Sequence, residues 1–77
     1  MTPEERLAKS RADYVRYGEP ARSVMVALDA FHFGLPVTEC CTFCGSTIRV
    51  WLPNPQNTQA WQTACDCGKS NGVFKGL

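Results

Sequence analysis

The sequence predicts an α+β fold in which an N-terminal helical hairpin precedes a small antiparallel β-structure. Three observations predict it. Apolar residues recur at helical spacing in the first half of the 77 residues, alternation replaces this spacing near residue 47, and turn-forming residues separate the segments. A chain of this length forms one small domain with a limited core. Its hydrophobic fraction of 44% is typical of a globular chain rather than a disordered one.

The first helix is predicted over residues 3–17. Thr2 is a candidate N-cap, Pro3 suits the first helical position, and Glu5 completes a capping box. Gly18 is a favourable residue to end the helix, because glycine readily adopts the left-handed conformation found there. The first segment therefore carries both a start and a stop signal.

The second helix is predicted over residues 20–33. Val24, Leu28 and Phe31 fall on one face of such a helix, which we expect to lie against the core. The following residues, 34–36, include a glycine and a proline and so end the helix. The short link between the two segments predicts a tight helix pair.

The C-terminal half predicts three short strands, over residues 47–52, 58–64 and 72–75. A loop over 53–57, rich in proline and asparagine, separates the first two. We expect residues 1–35 to form the helical hairpin and residues 36–77 the β-structure, as two halves of one compact domain. Neither half alone would bury much apolar surface.

Cysteine is the most informative residue type, and four of the five cysteines form two clusters: Cys41, Cys44, Cys65 and Cys67. A glycine follows each cluster, and 20 residues, enough for a hairpin, separate Cys44 from Cys65. Two such turns brought together by a hairpin close a tetrahedral site with four thiolate ligands and no open position. The sequence thus predicts one structural Zn²⁺; iron, an iron–sulfur cluster and disulfides are the alternatives.

These residues, read as Cys41-x-x-Cys44-Gly and Cys65-x-Cys67-Gly, resemble the knuckles of the zinc-ribbon superfamily. The resemblance covers residues 40–77 and implies a β-hairpin with a third strand around one zinc ion. It implies no single function, because zinc ribbons occur in transcription factors, ribosomal proteins, enzyme subunits and adaptors. The single residue between Cys65 and Cys67 departs from the usual pattern and weighs against a rubredoxin-type iron site. The helical half resembles no known family.

Two further residues are weaker candidates for metal chemistry. We expect Cys40 to be a small buried or partly exposed residue; the alternatives are that it replaces Cys41 as a ligand or acts as a redox handle. His32 lies near the predicted end of the second helix, where an imidazole interacts well with the helix dipole. We expect that role for His32 rather than metal binding.

The charge distribution favours a protein partner over bare nucleic acid. Residues 6–22 hold five of the eight basic residues against two acidic ones. Four thiolates and one Zn²⁺ shift the formal charge from +1 to about −1, which leaves the first helix as the basic part of the molecule. Binding to a phosphate backbone needs several converging cations.

Six residues are candidates for contact with a partner: Arg6, Lys9, Arg16, Arg49, Trp51 and Trp61. If alternate residues of the first strand face the core, Arg49 and Trp51 point outward. Tryptophan and arginine are enriched among the residues that dominate protein–protein binding energy. The alternative is that both tryptophans pack in the core, or that the basic helix face is merely solvated.

We therefore expect a small zinc-binding, non-enzymatic regulatory protein that docks on a larger protein or nucleic-acid-processing complex. The size would suit an inhibitor encoded by a phage or mobile element. The alternatives are direct DNA or RNA binding and a zinc-thiolate redox switch. We identified no nucleophile–base pair, paired carboxylates or phosphate-binding loop. Without a secretion signal or an 18-residue apolar run, we expect a cytoplasmic protein with no membrane contact.

Overall fold

The computed structural model describes residues 2–54, 56 and 59–75. Its elements are α1 (Pro3–Tyr14), a 3₁₀ turn (Val15–Tyr17), α2 (Ala21–His32), β1 (Arg49–Trp51), β2 (Ala60–Ala64) and β3 (Gly72–Lys75). Two helices thus precede a three-stranded antiparallel sheet, which confirms the predicted α+β class. Parts of the predicted loop, second strand and domain ends lie outside the described residues: Met1, Pro55, Asn57, Thr58, Gly76 and Leu77. Within the described ranges, no helix has the length and apolar character that a membrane crossing requires.

The predicted N-cap of α1 is confirmed, although the Glu5 carboxylate contacts the Thr2 hydroxyl instead of the Thr2 backbone N–H that a capping box uses. Thr2 Oγ1 accepts a hydrogen bond from the Glu5 backbone N–H at 3.2 Å and donates one to Glu5 Oε1 at 3.2 Å. The prediction of a single helix over 3–17 was wrong at its end, because the chain tightens into the 3₁₀ turn after Tyr14. Gly18 then reverses the chain with φ of +71°.

Helix α2 is buried on two sides and forms the centre of the molecule. Its Val24 and Leu28 pack towards the sheet and the cysteine-containing turns. Its Val26 and Ala30 belong to a second cluster with Leu7 of α1. The sequence predicted only the first of these faces, because two apolar stripes on one short helix are difficult to distinguish from a single broad one.

The sheet has the order β1-β2-β3, and its inner face packs on α2. The register places Val50 opposite Thr63 and Trp61 opposite Phe74, all four on this inner face. Strand β1 begins two residues later than predicted, because Thr47 pairs with Cys40 rather than with β2. Strand β3 has its predicted bounds.

A network of charged side chains connects the two helices to the segment that precedes the first cysteine-containing turn. Glu39 lies between two guanidinium groups, with Arg11 Nε at 3.1 Å and Arg22 Nη1 at 3.6 Å. Arg22 also contacts Glu19, which accepts a hydrogen bond from the buried Ser23 hydroxyl at 2.7 Å. Two cations of the predicted basic segment are therefore neutralised within the structure.

Partial burial raises the pKa of Glu19, but hydrogen bonds from Ser23 and Arg22 outweigh it and hold the pKa below its ordinary value. The contribution of Glu19 to stability is thus present above the pKa of an unfolded glutamate and is lost as the pH falls through the folded-state value. We expect Glu19→Gln to lower the free energy of unfolding at neutral pH by about 1 kcal/mol. The difference between wild type and variant should shrink in acid, which urea denaturation at a series of pH values would measure.

Asp13→Asn is the matched control, because Asp13 is an exposed carboxylate on α1. It should not reproduce the acid-dependent difference. If Glu19→Gln lowered the free energy of unfolding by the same amount at every pH tested, this would contradict the role assigned to the Glu19 charge.

Candidate metal centre

Four cysteine sulfurs lie close enough together to bind one metal ion. The Cys67 Sγ lies 3.7 Å from that of Cys41 and 3.6 Å from that of Cys65, and all four ligand atoms, including that of Cys44, lie within 4.8 Å of one another. Sulfurs that surround a zinc ion tetrahedrally at 2.3 Å are about 3.8 Å apart. The thiols therefore fit a single tetrahedral ion, consistent with a zinc-ribbon-like segment.

The first cysteine-containing turn is shaped by backbone hydrogen bonds. The Gly45 N–H donates to the Cys41 carbonyl at 2.8 Å, and the φ of Gly45 is +75°, as the glycine in the motif predicted. The Phe43 N–H points to the Cys41 sulfur at 3.4 Å. Such N–H groups stabilise the negative charge that a thiolate carries when it binds a metal.

The second cysteine-containing turn is shorter but is shaped by the same kinds of contact, a glycine with positive φ and a backbone N–H that donates to a sulfur. Gly68 has φ of +82°, and the Ser70 N–H donates to the Cys65 sulfur at 3.2 Å. In addition, Asn71 Oδ1 accepts a hydrogen bond from the Cys65 N–H at 2.9 Å. Sequence reasoning missed Asn71, because an asparagine six residues after a cysteine could equally belong to an ordinary loop.

Polar side chains join the two turns to each other. Ser46 Oγ lies 3.1 Å from the Cys44 sulfur and accepts a hydrogen bond from the Asp66 N–H at 3.1 Å. The Asp66 carboxylate in turn pairs with Arg49 of β1 at 3.1 Å. Ser46 was also missed, and its position directly after Cys-x-x-Cys-Gly was the signal that could have identified it.

An aromatic contact adds a second link between the turns. The Lys69 ammonium lies 4.6 Å from the centre of the Phe43 ring. This cation–π contact covers part of an exposed phenylalanine at the tip of the first turn. A hydrogen bond and a ring contact thus join the two turns, and an ion pair joins the second turn to β1.

Hydrogen bonds and burial shift the pKa values of Cys44, Cys65 and Cys67 in different directions. Contacts from Ser46, first its hydroxyl and then its backbone, lower the pKa of Cys44 to about 6. Burial opposes ionisation of Cys65, but hydrogen bonds from Ser70 and neighbouring thiols lower its pKa. The Lys69 N–H favours ionised Cys67, yet burial and the neighbouring thiols outweigh it and raise the pKa of Cys67 to about 12. A divalent cation would offset the repulsion that keeps a proton among these sulfurs.

The structure also places the two weaker candidates. Cys40 is exposed and lies outside the four-thiol group; its Sγ contacts the Thr38 carbonyl at 3.6 Å. His32 is the last residue of α2, as expected, and its ring lies 6.0 Å from that of Trp61. The geometry thus includes Cys41 rather than Cys40 in the ligand set.

The six predicted contact residues are not brought to one surface. Arg6, Lys9 and Arg16 are exposed on α1 and the following turn, whereas Arg49 and Trp51 are exposed on β1. Trp61 is a core residue with 7% of its surface exposed, so the surface position expected for it was wrong. It lies on the inner face because β2 is paired so that Trp61 faces α2.

No protein-family model, curated protein or solved structure matches the chain significantly. The chemistry of this chain's own residues is therefore the evidence for its function.

Metal removal should abolish the folded C-terminal half, because Cys41 and Cys65 are part of the hydrophobic core. We expect native mass spectrometry to find one metal ion per chain, and a strong chelator to remove the circular-dichroism signal of the sheet. Cys41→Ser should lose the ion, while the adjacent Cys40→Ser should retain it. Equal metal loss in both variants would contradict the assigned ligand set.

Ser46→Ala tests the link between the two turns. The change removes the acceptor of the Asp66 N–H and the contact with the Cys44 sulfur. We expect metal affinity to fall about tenfold, the lower end of the usual effect of groups that support metal ligands. Competition with a chromophoric chelator measures the affinity. Thr42→Ala, an exposed change in the same turn, should leave it unaltered, and an undiminished affinity in Ser46→Ala would remove Ser46 from the site.

Proposed function

We propose that the chain is a non-enzymatic interaction module that is stabilised by one Zn²⁺ and binds a larger protein. The donor set supports zinc, since four thiolates in a closed tetrahedron are typical of structural zinc sites and leave no position for a substrate. The short Cys65-x-Cys67 turn further favours zinc over a mononuclear iron site with two longer turns. The metal thus supports the fold, and the surface carries the function.

The observation that carries the proposal is the outer face of the sheet. The register aligns Trp51, Gln62 and Val73 in one row across the three strands. Trp51 is 37% exposed and Val73 is 59% exposed, although both are large apolar residues. We define the outer face as Arg49, Trp51, Gln62, Val73 and Lys75. An aromatic residue beside cations on a flat surface is typical of protein-binding sites.

The charges around the outer face favour a protein over a nucleic acid. Arg49 is already paired with Asp66, so Lys75 is the cation of this face without an ion pair in the described part of the chain. Four thiolates with one Zn²⁺ would add a local negative charge close to Asp66. A phosphate backbone would be repelled there, whereas a protein surface with a few acidic residues around an apolar patch would fit.

A regulatory role is consistent with such a module. A small protein that occupies a surface of a larger assembly alters that assembly without chemistry of its own. Whether it inhibits or activates depends on which surface of the partner Trp51 covers. We propose inhibition of a nucleic-acid-processing complex as the first case to test, once the partner has been co-purified with the tagged chain.

Trp51→Ala should weaken partner binding by about 2 kcal/mol, or roughly 30-fold, if Trp51 is at the centre of the contact. Biolayer interferometry with the purified partner measures the affinity. Val15→Ser is the control, since Val15 is an exposed apolar residue in the 3₁₀ turn after α1 and does not belong to the outer face. Thermal unfolding should show that both variants remain folded.

Two results would argue against the protein-binding proposal. The first is that Trp51→Ala binds the partner as tightly as the wild type does, in which case the outer face is not the contact. Alternatively, a labelled single strand could bind the chain with a steep dependence on salt, which would support direct nucleic-acid binding instead.

A further inference from the structure

A cavity of about 220 Å³ opens at the last turn of α2, beside the start of β2. It is lined by Leu28, Asp29, His32 and Trp61. Its walls combine a carboxylate with two aromatic rings and an aliphatic side chain. None of these residues belongs to the four-thiol group or to the outer face.

The carboxylate in this cavity has a neutral hydrogen-bond partner and, among the described residues, no counterion. Asp29 Oδ2 accepts a hydrogen bond from the Tyr14 hydroxyl at 3.0 Å. Burial and the Asp29 carboxylate raise the pKa of Tyr14 to about 12, so the phenol stays neutral. Within residues 2–54, 56 and 59–75, no cationic side chain forms an ion pair with Asp29. A partly buried carboxylate without a counterion favours a cationic ligand.

The other walls favour the same ligand. The rings of His32 and Trp61 meet edge to face, with centroids 6.0 Å apart and an interplanar angle of 70°. Aromatic rings attract cations, and planar guanidinium groups stack on them. The cavity also lies at the C-terminal end of a 12-residue helix, where the helix dipole favours positive charge.

We propose that this cavity binds an alkylguanidinium group, the head group of arginine. Guanidinium is preferred over ammonium because it is planar, weakly hydrated and able to engage a carboxylate with two parallel hydrogen bonds. The adjacent depression, lined by Pro3, Arg6, His32 and Phe33, contains a cation of its own. That cation, Arg6, would repel a cationic ligand, so we place the binding site in the cavity on the Trp61 side of His32.

The test uses the metal-loaded chain with Trp51→Phe, so that fluorescence reports Trp61 alone. N-acetyl-arginine amide represents an arginine in a polypeptide, and agmatine represents a free small molecule with the same head group. N-acetyl-citrulline amide is the matched neutral control, since its urea group has the shape of guanidinium without the charge. Backbone amide shifts of Asp29 and His32 provide a second measurement of binding.

We expect one or both guanidinium compounds to shift the Trp61 signal and the two amides, with citrulline binding about tenfold more weakly. The tighter of the two compounds identifies the source of the group. Asp29→Asn keeps an acceptor for Tyr14 and should lower the affinity for the guanidinium compounds about tenfold. Asp13→Asn changes the net charge equally and should leave this affinity unaltered. Equal binding of arginine and citrulline, equal losses in both Asn variants, or no binding of either guanidinium compound would overturn the proposal. The assay contains no protein partner, so its result does not depend on whether the outer face binds one.

Discussion

The position of the thiols in the hydrophobic core is the constraint on which the rest of the structure depends. Cys41 and Cys65 are 1% and 4% exposed and belong to the same cluster as Ile48 and Trp61. Metal binding would therefore be part of core formation rather than an addition to a finished fold. In so short a chain the apolar core supplies limited stability, and a bound ion would supplement it where the sheet meets α2.

Helix α2 connects the core around the two buried thiols to the helical half of the molecule. Its Leu28 contacts the cluster that holds the two buried thiols, while its Ala30 packs in the cluster with Leu7 of α1. Val37 contacts both clusters, so the connection continues into the segment before the first turn. Disruption of the four-thiol site should consequently loosen the helix pair as well, because the helices have no second large core of their own.

The sequence was sufficient where the determinants are local. The cap at Thr2, the glycine turns and each pair of neighbouring cysteines depend on residues within a few positions of one another, so the spacing alone indicated them. It was insufficient where partners are distant along the chain. Ser46 acquires its role from Asp66, 20 residues away, and the inward position of Trp61 depends on how β2 pairs. Side-chain alternation gives two faces but does not say which one is inside, because a shift of one residue exchanges them.

Ion pairs engage three of the eight basic residues and so reduce the positive charge that the molecule offers to a partner. Arg11 and Arg22 are paired with Glu39 and Glu19, and Arg49 is paired with Asp66. Long-range electrostatic attraction to a polyanion is correspondingly weak, since surface pairs cancel beyond about one Debye length. The proposed recognition would then depend on short-range fit: apolar contact at the outer face, and the partly buried Asp29 acting on a group small enough to enter its cavity. Such contacts determine dissociation rates more than association rates, so specificity in this molecule should appear in how long a partner stays bound.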